Sequence, residues 1–142
     1  MQVIGFNFTK IQGNKEKHSK QINVDAKIEF QDISKEKLDL LKDTEAVKLR
    51  FTHILNYKDV STKKEDFMAQ ILFEGAITLN VSKEESKDII KSWKKKKIPK
   101  NATVFLYNFI LRKCSPKALQ LQDELGLPSH IRIPSLTRQS NQ

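Results

Sequence analysis

The chain has 142 residues, a length suited to one domain, of which 38% are hydrophobic and 30% charged. Formal net charge is +9 and mean hydropathy −0.53; no apolar run approaches the ~20 residues of a membrane helix, which excludes a helical span. Strongly patterned apolar residues exclude disorder.

Cys114 is the one cysteine, so no internal disulfide is possible, and M-Q-V-I-G-F-N-F has no basic stretch leading into a long apolar core. A cytoplasmic protein with no membrane partner is the expectation. The positive balance suits solubility and also acidic partners: nucleic acid, anionic lipid or an acidic protein face.

Ile4, Phe6 and Phe8 alternate with Gly5, Asn7 and Thr9, the period of a half-buried strand. Gly13-Asn14 and the polar run to Lys20 read as a loop. Ile22, Val24, Ala26, Ile28 and Phe30 alternate with Asn23, Asp25, Lys27 and Glu29, predicting a strand with one face on a core. Residues 32–45 read as a connection, in which Leu38 and Leu41 share a helical face for one turn at most. Val47, Leu49, Phe51, Leu55 and Tyr57 mark one face of a third strand, interrupted by His53. His53 reads as a satisfied structural residue, since His18 and His130 are too far off in sequence for metal-ligand spacing.

After a polar turn over 58–66, Phe67, Ala69, Ile71, Phe73 and Ile77 are expected inward on a fourth strand. Met68, Gln70, Leu72, Glu74 and Ala76 form its other face, less polar than its counterparts, and Gly75 marks a bulge or a close approach. Short connections favour an antiparallel meander.

The period then changes. Ser82-Lys83-Glu84-Glu85 fits a capping box, and Ile89, Ile90 and Trp93 follow at helical spacing. Lys94 to Lys97 complement the dipole at that helix's end, and Pro99 suits a stop. Seven apolar residues between Val104 and Leu111 predict a helix from about Ala102 to Lys113 that is apolar on nearly every side. One sheet covers only one side, so a second subunit is expected over the rest, with Phe105 and Phe109 as candidate interface residues. Ser115-Pro116 reads as the start of a new helix, closed by Gly126 with Pro128 beyond it. Ile131 and Ile133 alternate with His130 and Arg132 in an extended tail expected to dock on the body.

The expected fold is thus α+β: a four-stranded antiparallel meander over about residues 3–80, helices over about 83–126, and a tail over 127–142, all in a single domain spanning 1–142. No Gly-rich phosphate loop, paired-Cys spacing or Ser-His-Asp pattern is present. No catalytic, cofactor-binding or metal residue is predicted, and no enzyme. Arg112 and Lys113 before Cys114 suit a lowered thiol pKa, against the reading of a buried structural cysteine at a helix end. The run Lys94 to Lys97, with Lys91 and Lys100, suits phosphate contacts or a helix cap leading into a solvated loop. It lacks any helix-turn-helix, zinc-finger or RNP-like companion.

From about Val47 to Leu136 the order of elements resembles the SecB export chaperones, and more closely their small archaeal SecB-like relatives. V-K-L-R-F followed by F-M-A-Q-I-L-F-E-G-A-I-T-L is similar to that family's consecutive long strands, the second ending near a glycine, here Gly75. V-F-L-Y-N-F-I-L-R-K-C, then Leu127-Pro128 and Ile133-Pro134, is similar to its long helix and proline-punctuated C-terminal segment. The resemblance implies a four-stranded antiparallel sheet with C-terminal helices, tetramers with helices between sheets, and ATP-independent binding of non-native polypeptide, in protein export or in protection of an antitoxin. SecB chaperones are typically acidic, whereas this chain is basic, and its N-terminus has no close match to theirs.

The residues themselves supply a physical motive for the same function: apolar side chains outside the strongest inward stripes. Met68, Leu72 and Trp93 are candidate polypeptide-binding residues, with Ile131 and Ile133 as candidate groove walls. The expected partners are non-native polypeptide clients and further copies of the chain, as a homo-dimer or homo-tetramer. The alternatives are a basic nucleic-acid-binding module and a purely structural oligomer subunit.

Overall fold

In the computed structural model, which describes residues 1–37, 43–61 and 67–136, four strands precede two helices. They are β1 (Gln2–Lys15), β2 (Ile22–Glu36), β3 (Thr44–Asp59), β4 (Ala69–Ser82), α1 (Lys83–Trp93) and α2 (Lys100–Leu125). The strands form one antiparallel sheet in the order β1-β4-β3-β2.

The expected antiparallel sheet with C-terminal helices is therefore present, but only β2, β3 and β4 run as a meander. β1 pairs with β4 because the link over 16–21 crosses the end of the sheet. Three strand spacings are about 14 Å, and this link extends to about 20 Å. It is pinned on the way: the Glu16 and Lys17 amides donate to the Met68 carbonyl at 2.8 and 3.3 Å, and the Val60 amide donates to the Gln21 carbonyl at 3.0 Å.

β3 and β4 keep their alternation unbroken. Val47, Leu49, Phe51, Leu55 and Tyr57 are buried on the face that meets Ile71, Phe73, Ile77 and Leu79. Phe30 opposite Phe51 and Val24 opposite Tyr57 put the even residues of β2 on that same face. The outer strands are less regular. A register shift between Phe30 and Asp32 reverses the phase of β2, so the odd-numbered Ile33 is buried and the strand continues to Glu36, where a connection was expected. Leu38 and Leu41 lie outside the described residues.

A similar shift between Val3 and Gly5 leaves Ile4, expected inward, exposed while Val3 packs on the core. β1 also runs through Gly13-Asn14, expected as a loop, because β4 offers it a partner up to Ala69. A Cβ at Gly13 would lie 2.9 Å from Leu125 Cδ1, so the missing side chain lets α2 approach.

Two expectations at the start of β4 are reversed. Phe67 is exposed, and Met68 is buried in the core. The turn sets this: the Met68 amide donates to Tyr57 O at 2.9 Å while its carbonyl receives the link from β1, which holds the residue beneath the sheet's end.

The Ser82 capping box is formed, with the Glu85 amide donating to Ser82 Oγ and the Ser82 amide to Glu85 Oε1, both at 3.1 Å. α2 does not restart at Ser115-Pro116; Pro116 lies inside one continuous helix. An interior proline removes a hydrogen bond and costs about 3 kcal/mol. Here it sits on the exposed side, while a buried stripe runs past it at every fourth residue: Ala102, Leu106, Ile110, Cys114, Ala118 and Gln122. Burial of that stripe offsets the proline. Gly126 ends the helix with φ 64°, its amide and that of Leu127 donating to Asp123 O and Gln122 O. Lys15 Nζ donates to Leu125 O at 2.9 Å, tying the end of β1 to the end of α2.

On the flanks of α2, the Tyr107 ring stacks on Phe30 at 6.0 Å and Phe109 meets Phe6 edge-on at 5.5 Å. Its far side is uncovered: Val104, Phe105 and Leu111 are 64%, 38% and 37% exposed.

Gly75 is a close approach. A Cβ there would lie 2.7 Å from Asn7 O and 2.8 Å from the Phe51 ring, itself buried. Gly75→Ala is expected to destabilise the fold by about 1–3 kcal/mol, read as a lower urea midpoint with an unchanged m-value. An unchanged midpoint would show that the Phe51 ring yields without cost.

Candidate polypeptide-binding cleft

β2 is an edge strand; α1 packs beside it, and α2, which lies over β1 and β4, reaches it through Tyr107. Between them lies an open cleft of about 350 Å³. Ile28 and Phe30 of β2, Trp93 and Ile98 at the junction of the helices and Tyr107 of α2 are its apolar walls, with Glu29, Gln31, Lys96 and Thr103 among them. Each wall has a local cause. The Tyr107 hydroxyl donates to Ile28 O at 3.4 Å, fixing the ring against β2. Thr103 Oγ1 donates to Pro99 O at 3.1 Å, which holds the start of α2 against the junction.

The junction is a tight turn in which the Lys96 amide donates to Trp93 O and that of Lys97 to Ser92 O, at 2.8 and 3.1 Å. This is the hydrogen-bond pattern that usually places glycine in the left-handed position. Lys96 occupies it instead, with φ 56°, and its Nζ sits 4.7 Å from the centre of the Trp93 ring. The turn thus fixes one wall of the cleft.

The expected site residues separate in space. Trp93 is half-buried in the cleft. Leu72 lies opposite Ile54 on the other face of the sheet, in a shallow groove of about 520 Å³ flanked by Arg50 and Glu74. Met68 is in the core and not on a client surface. Ile131 and Ile133 are exposed and do not line the cleft. The walls expected of them are made by Ile28, Phe30, Ile98 and Tyr107. Phe109 is half-buried against Phe6 of β1, and Phe105 is exposed.

Among the described residues, the tail is held at its beginning. Leu127 is buried, the Tyr57 hydroxyl donates to Pro128 O at 3.3 Å, and Gln122 Nε2 donates to Tyr57 Oη at 2.6 Å. The same amide nitrogen lies 2.9 Å from His130 Nδ1. His53 is buried, with Nδ1 donating to Lys27 O at 3.1 Å and the ring stacked on Phe73 at 6.1 Å. The expected satisfied residue is met at Nδ1 alone, because Nε2 is buried without a hydrogen-bond partner among the described residues. Burial pushes the Cys114 thiol up to about 12, so it stays protonated and packs as a small apolar group. No group of three or more His, Cys, Asp or Glu placed to hold a metal occurs among the described residues. No helix among them is long and apolar enough to cross a membrane.

No family model and no curated protein sequence matches the chain. A solved structure does: the SecB-like chaperone Rv1957 of Mycobacterium tuberculosis, determined in complex with a ChAD peptide from the Rv1956 HigA1 antitoxin, superimposes with a TM-score of 0.53. The fold is SecB-like. The likeness covers 97% of this chain and 91% of the chaperone at 17% sequence identity. A four-stranded antiparallel sheet followed by two C-terminal helices is thus a known architecture.

Burial lowers the pKa of both His53 and His130 from the usual 6.5. Their neutral forms are favoured in the folded state, so stability is fully present above about pH 6.5 and falls as acid protonates the unfolded chain first. The urea midpoint is expected to be lower at pH 5.5 than at pH 7.5, and His130→Asn to shallow that dependence. Equal midpoints at the two pH values would show that neither histidine carries the linkage.

Proposed function

We propose that this protein binds extended apolar segments of non-native polypeptides without nucleotide, as a chaperone-like holder. The observation that carries the reading is the cleft of Ile28, Phe30, Trp93, Ile98 and Tyr107 beside the outer edge of β2. An edge strand offers backbone hydrogen bonds to an extended chain, and apolar pockets beside it take alternate side chains. Such a site recognises shape and apolarity and has no need of a reacting group, so the role is binding and not catalysis. The peptide bound by the structural neighbour supports the same reading. Its clients would be exported precursors or an antitoxin-like segment, met in the cytoplasm.

We further propose a homo-oligomer, dimer or tetramer, that covers the free side of α2. Val104 and Leu111, two turns apart, form one apolar row, and Phe105 and Phe109, one turn apart, form a second toward the flank beside Phe6. Exposed apolar surface of this kind marks an interaction site.

Three measurements test these readings. The protein should suppress aggregation of an unfolded model protein, with an effect that persists at high salt, where surface charge is screened. Trp93→Ala should weaken client binding by about 2 kcal/mol, as loss of an anchoring tryptophan does. Binding confined to nucleic acid and abolished by salt would replace this reading with the basic nucleic-acid-binding module that Lys94 to Lys97 suggest. The solution mass should be a multiple of the 16.5 kDa chain; a monomer at micromolar concentration overturns the assembly.

A further inference from the structure

Lysines gather along one face of α1. Lys83, Lys87, Lys91 and Lys94 recur at helical spacing, and Lys95, Lys96, Lys97 and Lys100 continue the run into α2. The acidic residues of the same stretch are Glu84, Glu85 and Asp88. Glu85 is committed to the capping box and lies 3.7 Å from the N-terminal amine. Lys35 of β2 pairs with Glu45 at 3.3 Å. Lys87, Lys91 and Lys94 make no ion pair within the chain among the described residues.

Lys35, Lys87, Lys91 and Lys94 surround Ile90 in a depression of about 380 Å³ between α1 and the end of β2. Its wall is aliphatic, made of lysine stems and Ile90, with the ammonium groups free to extend to the rim. The depression is next to the aromatic cleft. Ile90 borders one and Trp93 the other, one turn apart on α1. Gln31 and Lys35 border them on β2, about 13 Å apart along an extended strand.

We propose that the lysine depression takes the carboxylates of an acidic stretch in the same polypeptide whose apolar residues fill the Trp93 cleft. The protein thereby selects clients in which an acidic cluster lies about four to six residues from an apolar one, a spacing set by the strand rise. The proposal rests on the polypeptide-binding reading above and names its client class.

Three features favour an acidic polypeptide over nucleic acid. The floor is apolar, which suits the methylenes of Asp and Glu. The lining has no arginine to grip a phosphate in two places. Lys96 Nζ lies over one face of the Trp93 ring, and a base stacking on that face would have to displace it. Unpaired lysines held close together repel one another, and a bound carboxylate relieves that repulsion. The same field speeds encounter with acidic chains.

The test compares two unstructured fluorescent peptides with one apolar core. The first carries an Asp/Glu cluster about five residues away, and the second has Asn/Gln at those positions. A single-stranded oligonucleotide is the third probe. The acidic peptide should bind about tenfold more tightly at low salt, with the difference shrinking as salt rises. Lys87→Glu with Lys91→Glu, at exposed helix positions, should abolish the difference and leave the neutral peptide's affinity unchanged. Lys87→Gln with Lys91→Gln, which keeps aliphatic stems, gives the same comparison if charge reversal lowers the melting temperature.

Equal binding of the two peptides by the unaltered protein overturns this proposal and leaves polypeptide binding standing. Failure of both peptides overturns both. Tighter binding of the oligonucleotide, lost in the same double variant, assigns the lysines to nucleic acid and overturns the acidic-client proposal.

Discussion

The structure depends on one constraint: α2 has to lie flat on one face of the sheet, chiefly over β1 and β4. Its buried stripe meets that demand with alanine, cysteine and glutamine at four of six positions, and bulky Leu106 and Ile110 between. Helix and strand lengths agree. From Phe109 beside Phe6 to Leu125 beside Gly13, the helix advances about 24 Å and the strand about 23 Å. Once the stripe is seated, Tyr107 and Phe109 fall to opposite flanks, against Phe30 and Phe6. One flank becomes the cleft. The other becomes an aromatic cluster with Lys113 Nζ 5.7 Å from both the Phe6 and the Phe109 rings.

The turn between the helices is the second fixed point. A lysine in the left-handed region costs about 1–2 kcal/mol relative to the usual conformation. At Lys96 the two hydrogen bonds of the turn and the contact with the Trp93 ring hold that conformation. Glycine would relieve the strain and would also remove the charge from the rim of the cleft. Local stability and surface chemistry therefore favour different residues here.

Much of the fold was legible because β3 and β4 are the central strands. Their alternation is unbroken, so Val47 to Tyr57 and Ala69 to Ile77 could be phased residue by residue. The outer strands were harder because a single shift exchanges their faces. Ile4 was read inward and Ile33 left out, on either side of such shifts. The capping box at Ser82 and the cap at Gly126 are local chemistry and were visible as such. The continuity of α2 was not, because the proline signal is local while the stripe that overrides it depends on the sheet. The cleft was legible only at Trp93. Ile28 and Phe30 read as ordinary core residues, and only the strand order reveals that β2 is an edge. Met68 has the opposite history: its sequence phase pointed outward, and the backbone hydrogen bonds at the turn drew it in.

The strand order also sets a timetable. β1 is made first, yet Gln2 pairs with Asn80 and Val3 with Leu79, so its partner strand is among the last parts of the sheet to emerge. At about 5–20 residues per second, the leading end of β1 waits roughly 4–16 seconds during synthesis. Meanwhile β2, β3 and β4 can close as successive hairpins. For that interval Phe6 and Phe8 have no sheet to rest on, and the newborn chain shows an extended apolar segment of the kind we propose as the client of the finished cleft.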